Sequence, residues 1–414
     1  MKKIVILAPI SNNYINYLDA ISGDKDNRYL IFAMERHRDN YPETLPENIK
    51  FVFLKIWNEE YIDYVISQTF GQQIDYVYAY SEGEIIFAAK LRKKYQVTLG
   101  QSLTSAEEFR NKLTMVKAAE QAHVAVPRYW PVDNVFDLIE TEKKLGFPFV
   151  LKPIAGMGSM DTFVVHDHVE LERLAADKIL RGYLAEEFIP WPLYHVDGFV
   201  KQGHFVYLIS SKYFANTLEV KNGKSVGSVQ INPAAAEQKL IRSYATDLLK
   251  GMDTPENYLF HLEVFCDGRE VTLCEIGSRL GGGRILQELE QGLGFSPIQE
   301  LLKLDLGLPN KVDLDKEYKS AEIRGFVMVE PGRGILQKLP AADAVLAANP
   351  EVYDYYQYAK LGRTYNGAAS SVEALAAISV CGKDSKTVEE KLKDLDAWLK
   401  KAAVYSQKAG KAIL

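Results

Sequence analysis

Cysteine is scarce in this chain of 414 residues: there are three, Cys266, Cys274 and Cys381, and their spacing fits neither a paired disulfide framework nor a zinc site. They are read as core thiols in a reducing, cytoplasmic setting. No apolar run reaches the roughly 18 residues of a membrane span, so no membrane partner is expected. The Met-Lys-Lys start followed by IVILAPI gives way at once to Ser11-Asn12-Asn13, too soon for a secretory signal, and is read as a first buried strand. Positive charge is also in deficit. Against 55 Asp and Glu there are 49 Lys and Arg, a net charge of −6 with no basic cluster, which argues against a nucleic-acid partner. A GxGxxG fingerprint after the first strand is missing, and with it the usual warrant for a dinucleotide. No internal repeat is present. What remains is an ordinary globular composition, 47% hydrophobic and 25% charged, with length for two or three domains.

Residues 1–100 alternate strand and helix signals: KIVILAPI, YLIFAM, FVFLKI and IDYVYAY, then a helix from about Glu82 to Lys94. That rhythm predicts a parallel sheet with crossover helices. Ser105 with Glu108 forms a capping box ahead of Phe109, Leu113 and Val116, predicting one helix over about 106–122 with Lys112 beside its apolar stripe. A second α/β segment follows. In FPFVLKPIAGMGSMDTFVV, Lys152 closes a strand, Pro153 stops it, and Gly156 to Ser159 makes a glycine loop whose backbone N–H groups suit a lid over phosphates. The strand YLAEEFIPW carries Glu186 and Glu187, which point to opposite faces, so one can enter a pocket while the other meets solvent. Asp197-Gly198 and Asn222-Gly223 are read as hairpin turns, residues 285–303 as a helix, the tyrosines at 353–358 as packing, and the charged segment of about 386–402 as a helix with a solvated face.

The most informative stretch is LFHLEVFCDGREVTLCEIGSRLGGGR at 259–284, two β-rich runs about Asp267-Gly268. Glu263 and Glu275 share a face only if the turn has an odd number of residues. A three-residue turn, Asp267-Gly268-Arg269, would put Leu273 opposite Glu263 and Glu275 one diagonal step away. Two carboxylates so placed would repel without a hard cation between them. Arg279 follows four residues later, and Gly281 to Gly283 allow close backbone approach to an anion. Together these residues read as a magnesium–phosphate platform.

Taken in order, the helix bearing Lys112, the strand and glycine loop 152–159, the Glu186-Glu187 strand and the Glu263…Glu275-x-x-x-Arg279 hairpin resemble the ATP-grasp superfamily, over the chain to about residue 300. The resemblance implies an α/β and α+β architecture: a Rossmann-like parallel-sheet domain (1–104), a small lid subdomain (105–184) and a large antiparallel-sheet domain (185–414) with an extension from about 310. It implies ATP held between two lobes. Lys112 and Lys152 would contact phosphates, with Gly158 and Ser159 closing over them, and Glu186, Glu187 and Ile189 would border adenine. Glu263 and Glu275 would hold Mg2+, or Mn2+ in its place, and Arg279, with Lys152, would serve catalysis. Two departures stand out. Glu275-Ile276-Gly277-Ser278-Arg279 has Gly277 where the family often has an Asn ligand, and Trp191 and Leu193 replace a glycine and a ribose-binding glutamate, leaving His195 as the substitute contact.

EIGSRLGGG and the long C-terminal extension are similar to carboxylate–amine ligases, especially bacterial L-amino-acid ligases. That similarity implies dipeptide synthesis through an acyl phosphate, with ADP and phosphate released, amino acids as substrates, arginine as a candidate N-terminal substrate, and a homodimer. The alternatives are a ligase or carboxylase acting on another carboxylate or bicarbonate, and a non-catalytic ATP-binding module.

Overall fold

The computed structural model describes residues 1–79, 81–214, 223–368 and 373–406. Four β-rich runs in the first eighty residues form a parallel sheet in the order Ile49–Leu54, Arg28–Met34, Lys3–Ala8, Tyr76–Ala79. Lys3–Ala8 is buried along nearly its whole length, as the near-continuous apolar pattern of a parallel strand covered on both faces requires. Its neighbour Tyr76–Ala79 is followed by the turn Glu82–Glu84 and the helix Ile85–Tyr95. A four-stranded antiparallel sheet comes next, ordered Tyr129–Val132, Tyr183–Glu187, Phe149–Pro153, Phe163–Val165. The largest sheet has eight antiparallel strands: Val271–Gly277, Asn257–Cys266, Leu193–Lys201, His204–Tyr213, Val226–Gln230, Ile323–Val329, Ala376–Gly382 and Val352–Gln357. A small sheet of Thr364–Asn366, Arg333–Lys338 and Val404–Ser406 completes the described strands. The fold is therefore mixed α/β, a parallel sheet joined to antiparallel ones.

Several local expectations are corrected. The predicted helix over 106–122 is two helices, Leu103–Glu108 and Lys112–Gln121. Ser102, not Ser105, caps the first, accepting from the Ser105 N–H, and Asn111 caps the second by accepting from Leu113 and Thr114. An asparagine side chain that satisfies two orphan N–H groups starts a helix more strongly than the box inside the preceding one. Residues 285–303 likewise split into Ile285–Leu293 and Pro297–Leu306, because Gly294 takes a left-handed C-cap and Pro297 opens the next helix. Asp197-Gly198 is no turn. It lies mid-strand in Leu193–Lys201, and the bend falls at Gln202-Gly203, both at positive φ. Asn222 of the other proposed turn lies outside the described residues. The C-terminal helix Ser385–Ala402 has the solvated face expected and buries Val388, Leu392, Leu395 and Leu399 on the other.

Candidate active site

The hairpin of Asn257–Cys266 and Val271–Gly277 brings Glu263 and Glu275 together by a different route from the one predicted. Cys266 pairs with Val271, so the turn holds four residues, an even number that alone would leave the glutamates on opposite faces. A β-bulge between Glu263 and Val264 on one strand and Leu273 and Glu275 on the other leaves Cys274 as the extra residue and sets Glu263 directly opposite Glu275. Cys274 is thereby turned into the cleft wall, its Sγ 3.9 Å from Glu263 Oε2, and is not a core thiol.

Around these carboxylates the cations are ordered and buried. Lys112 Nζ lies 2.9 Å from Glu275 Oε2 and donates to Gly156 O at 3.2 Å. It is 4% exposed, a buried ammonium rather than a surface one. Lys152 Nζ pairs with Glu186 at 2.7 Å and donates to the carbonyl of Cys274 at 3.1 Å. Burial alone would lower the Lys152 pKa, but Glu186 and Glu275 outweigh it and hold the ammonium above its ordinary value. Burial alone would likewise raise Glu275, yet Lys112, Lys152 and Arg279 pull its pKa down to about 2. Glu263 is also lowered: His261 overcomes its burial, while the Glu275 charge opposes the shift. Two ionised carboxylates face each other here, and a hard divalent cation is the group that such a pair fits. Gly277 supplies no third side-chain ligand.

The two glutamates of Tyr183–Glu187 part as alternation requires. Glu186 is buried on Lys152, while Glu187 faces out to Arg128 at 2.8 Å. A first cavity is bounded by Lys112, Lys152, Gly158, Ser159, Glu186 and Ile189, with Glu187, Leu193, Glu263 and Glu275 also on its walls. Gly158 and Ser159, which line this cavity, both have positive φ, the left-handed region that glycine favours. A second and larger cavity of about 690 Å³ adjoins it, with Met157 to Met160 and the Glu263–Glu275 pair as shared wall. Arg279, Gly281 to Gly283 and Glu82 line that second space.

His195 is the site residue that the structure moves elsewhere. It is 2% exposed, its Nδ1 is 2.6 Å from Asp197 and its Nε2 2.8 Å from Ser228 Oγ, and it lines neither cavity of the cleft. Both ring nitrogens are spent inside a sheet buried on both faces, so no ribose contact is open to it. Arg279 is on the wall of the second cavity, and its ion pair is with Glu82 at 2.5 Å. Sequence reasoning missed Glu82, Arg110, Tyr213 and the Asp197–His261 pair. Glu82 had a signal. It follows the strand Tyr76–Ala79 at the carboxyl edge of a parallel sheet, where open α/β sheets place their ligands.

No protein-family model matches the chain. An L-arginine-specific L-amino acid ligase of Bacillus subtilis is 26% identical over 246 residues, which are 56% of this chain and 58% of that relative, less than two thirds of its length. Among solved structures, an L-amino acid ligase from Bacillus licheniformis superposes with a TM-score of 0.77 at 20% identity, covering 98% of this chain and 99% of the other. A carboxyaminoimidazole ribonucleotide synthase from Aspergillus clavatus, solved with ATP, gives 0.68 at 14% identity over 96% of this chain and 99% of the other.

Proposed function

We propose that this chain, which resembles the carboxylate–amine ligases and has the ATP-grasp fold, joins two L-amino acids into a dipeptide at the expense of ATP. The observation that carries the reading is the convergence of Glu263, Glu275, Lys112, Lys152 and Arg279 on the two adjoining cavities. Nucleotide fits the first cavity, where Lys112 and Lys152 meet phosphates and residues 186–189 border the base. Mg2+ would be held by Glu263 and Glu275 and would neutralise charge on the terminal phosphates.

A carboxylate is a poor electrophile, so activation as an acyl phosphate, followed by amine attack, is the route such a site supports. Arg279 faces the second cavity, where a substrate carboxylate would lie. Its planar fork suits the charge that develops as the amine displaces phosphate. Similarity to the L-arginine-specific relative of Bacillus subtilis supports arginine as one substrate, which we place at the N-terminal position. A phosphate-release screen over all pairs of amino acids tests the proposal. Release that requires two amino acids supports it, and release with bicarbonate or a single carboxylate alone replaces it.

A further inference from the structure

One carboxylate on the wall of the second cavity holds two arginines. Glu82 is 6% exposed, and each of its oxygens serves a different arginine. Oε2 accepts from Arg279 Nε at 2.8 Å and Nη2 at 2.5 Å, while Oε1 accepts from Arg110 Nη1 at 3.3 Å. Arg110 then donates to the carbonyl of Gly156 at 3.0 Å and to that of Ala155. Those two residues form the base of the glycine loop, whose residues 157–160 wall both cavities. An unbroken polar chain therefore runs from Arg279 through Glu82 and Arg110 to the loop. Two half-buried guanidinium groups this close would repel without the carboxylate between them, so Glu82 sets the position of both. Arg279 gives a further N–H to Leu280 O at 2.9 Å, which leaves two of its five donors free.

The geometry points to Glu82 as a positioning residue that couples the two cavities, fixing Arg279 on one side and, through Arg110, the glycine loop on the other. The assignment of amino acid to one cavity and nucleotide to the other rests on the ligase reading; the chain of contacts does not. A carboxylate that meets the free donors of Arg279 shifts the guanidinium that Glu82 grips, and nucleotide under the loop loads the same chain from the far end. Each ligand then strengthens the binding of the other by the same factor.

The test compares wild type with Glu82→Gln, which keeps volume and one acceptor oxygen but removes the charge. Two quantities are read: the affinity for Mg2+ with the non-hydrolysable analogue AMP-PNP, with and without a mixture of the twenty L-amino acids, and hydrogen exchange of the 154–162 peptide with and without analogue. In wild type the amino acids should tighten analogue binding by about 5-fold or more, the lower range of measured couplings. In Glu82→Gln that factor should fall to near 1, and the 154–162 amides should exchange severalfold faster.

Arg110→Gln leaves the Glu82–Arg279 pair in place and should speed loop exchange while sparing Arg279, so it decides the matter if Glu82→Gln fails to fold. A variant that melts earlier but keeps both the coupling factor and loop protection would overturn the assignment, leaving Glu82 a structural ion pair. If wild type binds the analogue but no amino acid, the ligase reading fails. Loop exchange in the two variants still decides the role of Glu82.

Discussion

Arg279 spends three N–H groups on Glu82 and Leu280 and keeps two for the cavity, so its geometry is set before any ligand arrives. A lysine at 279 could satisfy Glu82 as a point charge but could not present a second, parallel pair of donors. Arg279→Lys is therefore expected to retain nucleotide affinity and lose about 2–4 kcal/mol of transition-state stabilisation, the scale of an oxyanion donor, seen as a fall in kcat at saturating ATP. An unchanged kcat would remove the catalytic role. Glu288 makes a different prediction at this scale. It is fully buried beside Tyr353, which donates to it, and burial pushes its carboxyl up to about 7 from 4.5. An acid raised in the folded state costs nothing below its unfolded value, and the cost grows as pH rises from about 4.5 to about 7, then levels off. Wild type should lose stability across that window, by about 3 kcal/mol at most. Glu288→Gln, which keeps an acceptor for Tyr353, should flatten the profile in thermal melts taken from pH 4.5 to 8. A slope that persists in the variant would show that other groups carry it.

Among elements, the hairpin 257–277 shows what could be read in the sequence and what could not. That two β-rich runs meet in a hairpin here was legible, but strand alternation brought Glu263 and Glu275 to one face only through an assumed three-residue turn, and the turn has four. The bulge that brings them together was not legible, because a two-against-one pairing depends on how strands dock and leaves no period in the sequence. The parallel sheet of residues 3–79 was legible from its apolar runs and Lys152 from its place at a strand end, whereas Lys112 and Glu186 were singled out through the family resemblance. Helix breaks at Asn111 and Gly294 were missed because a local cap outweighs a longer apolar period. Glu82 joins Arg279 across 197 positions, a distance that no spacing rule spans. Gly198 was misread as a turn for a related reason. It pairs with Phe260 across the strands, and a Cβ there would lie 2.2 Å from the Phe260 ring. Gly198→Ala should destabilise by about 1–3 kcal/mol, as overpacking does, measured by denaturant unfolding. Stability equal to wild type would mean that the two strands have room to part.

For the molecule as a whole, the account joins a parallel sheet whose last strand leads to Glu82, an antiparallel sheet that bears Lys152 and Glu186, and an eight-stranded sheet that bears Glu263 and Glu275 and leads to Arg279. Each contributes one side of the paired cavities, so the chemistry needs all three held together. The central claim is that the cations and carboxylates converge on the terminal phosphates, and it is tested most directly by the identity of the nucleotide product. With ATP, Mg2+ and the mixture of twenty L-amino acids, the account predicts ADP and orthophosphate in equal amounts, formed only when amino acids are present. AMP and pyrophosphate, or ADP at the same rate without amino acids, would contradict it.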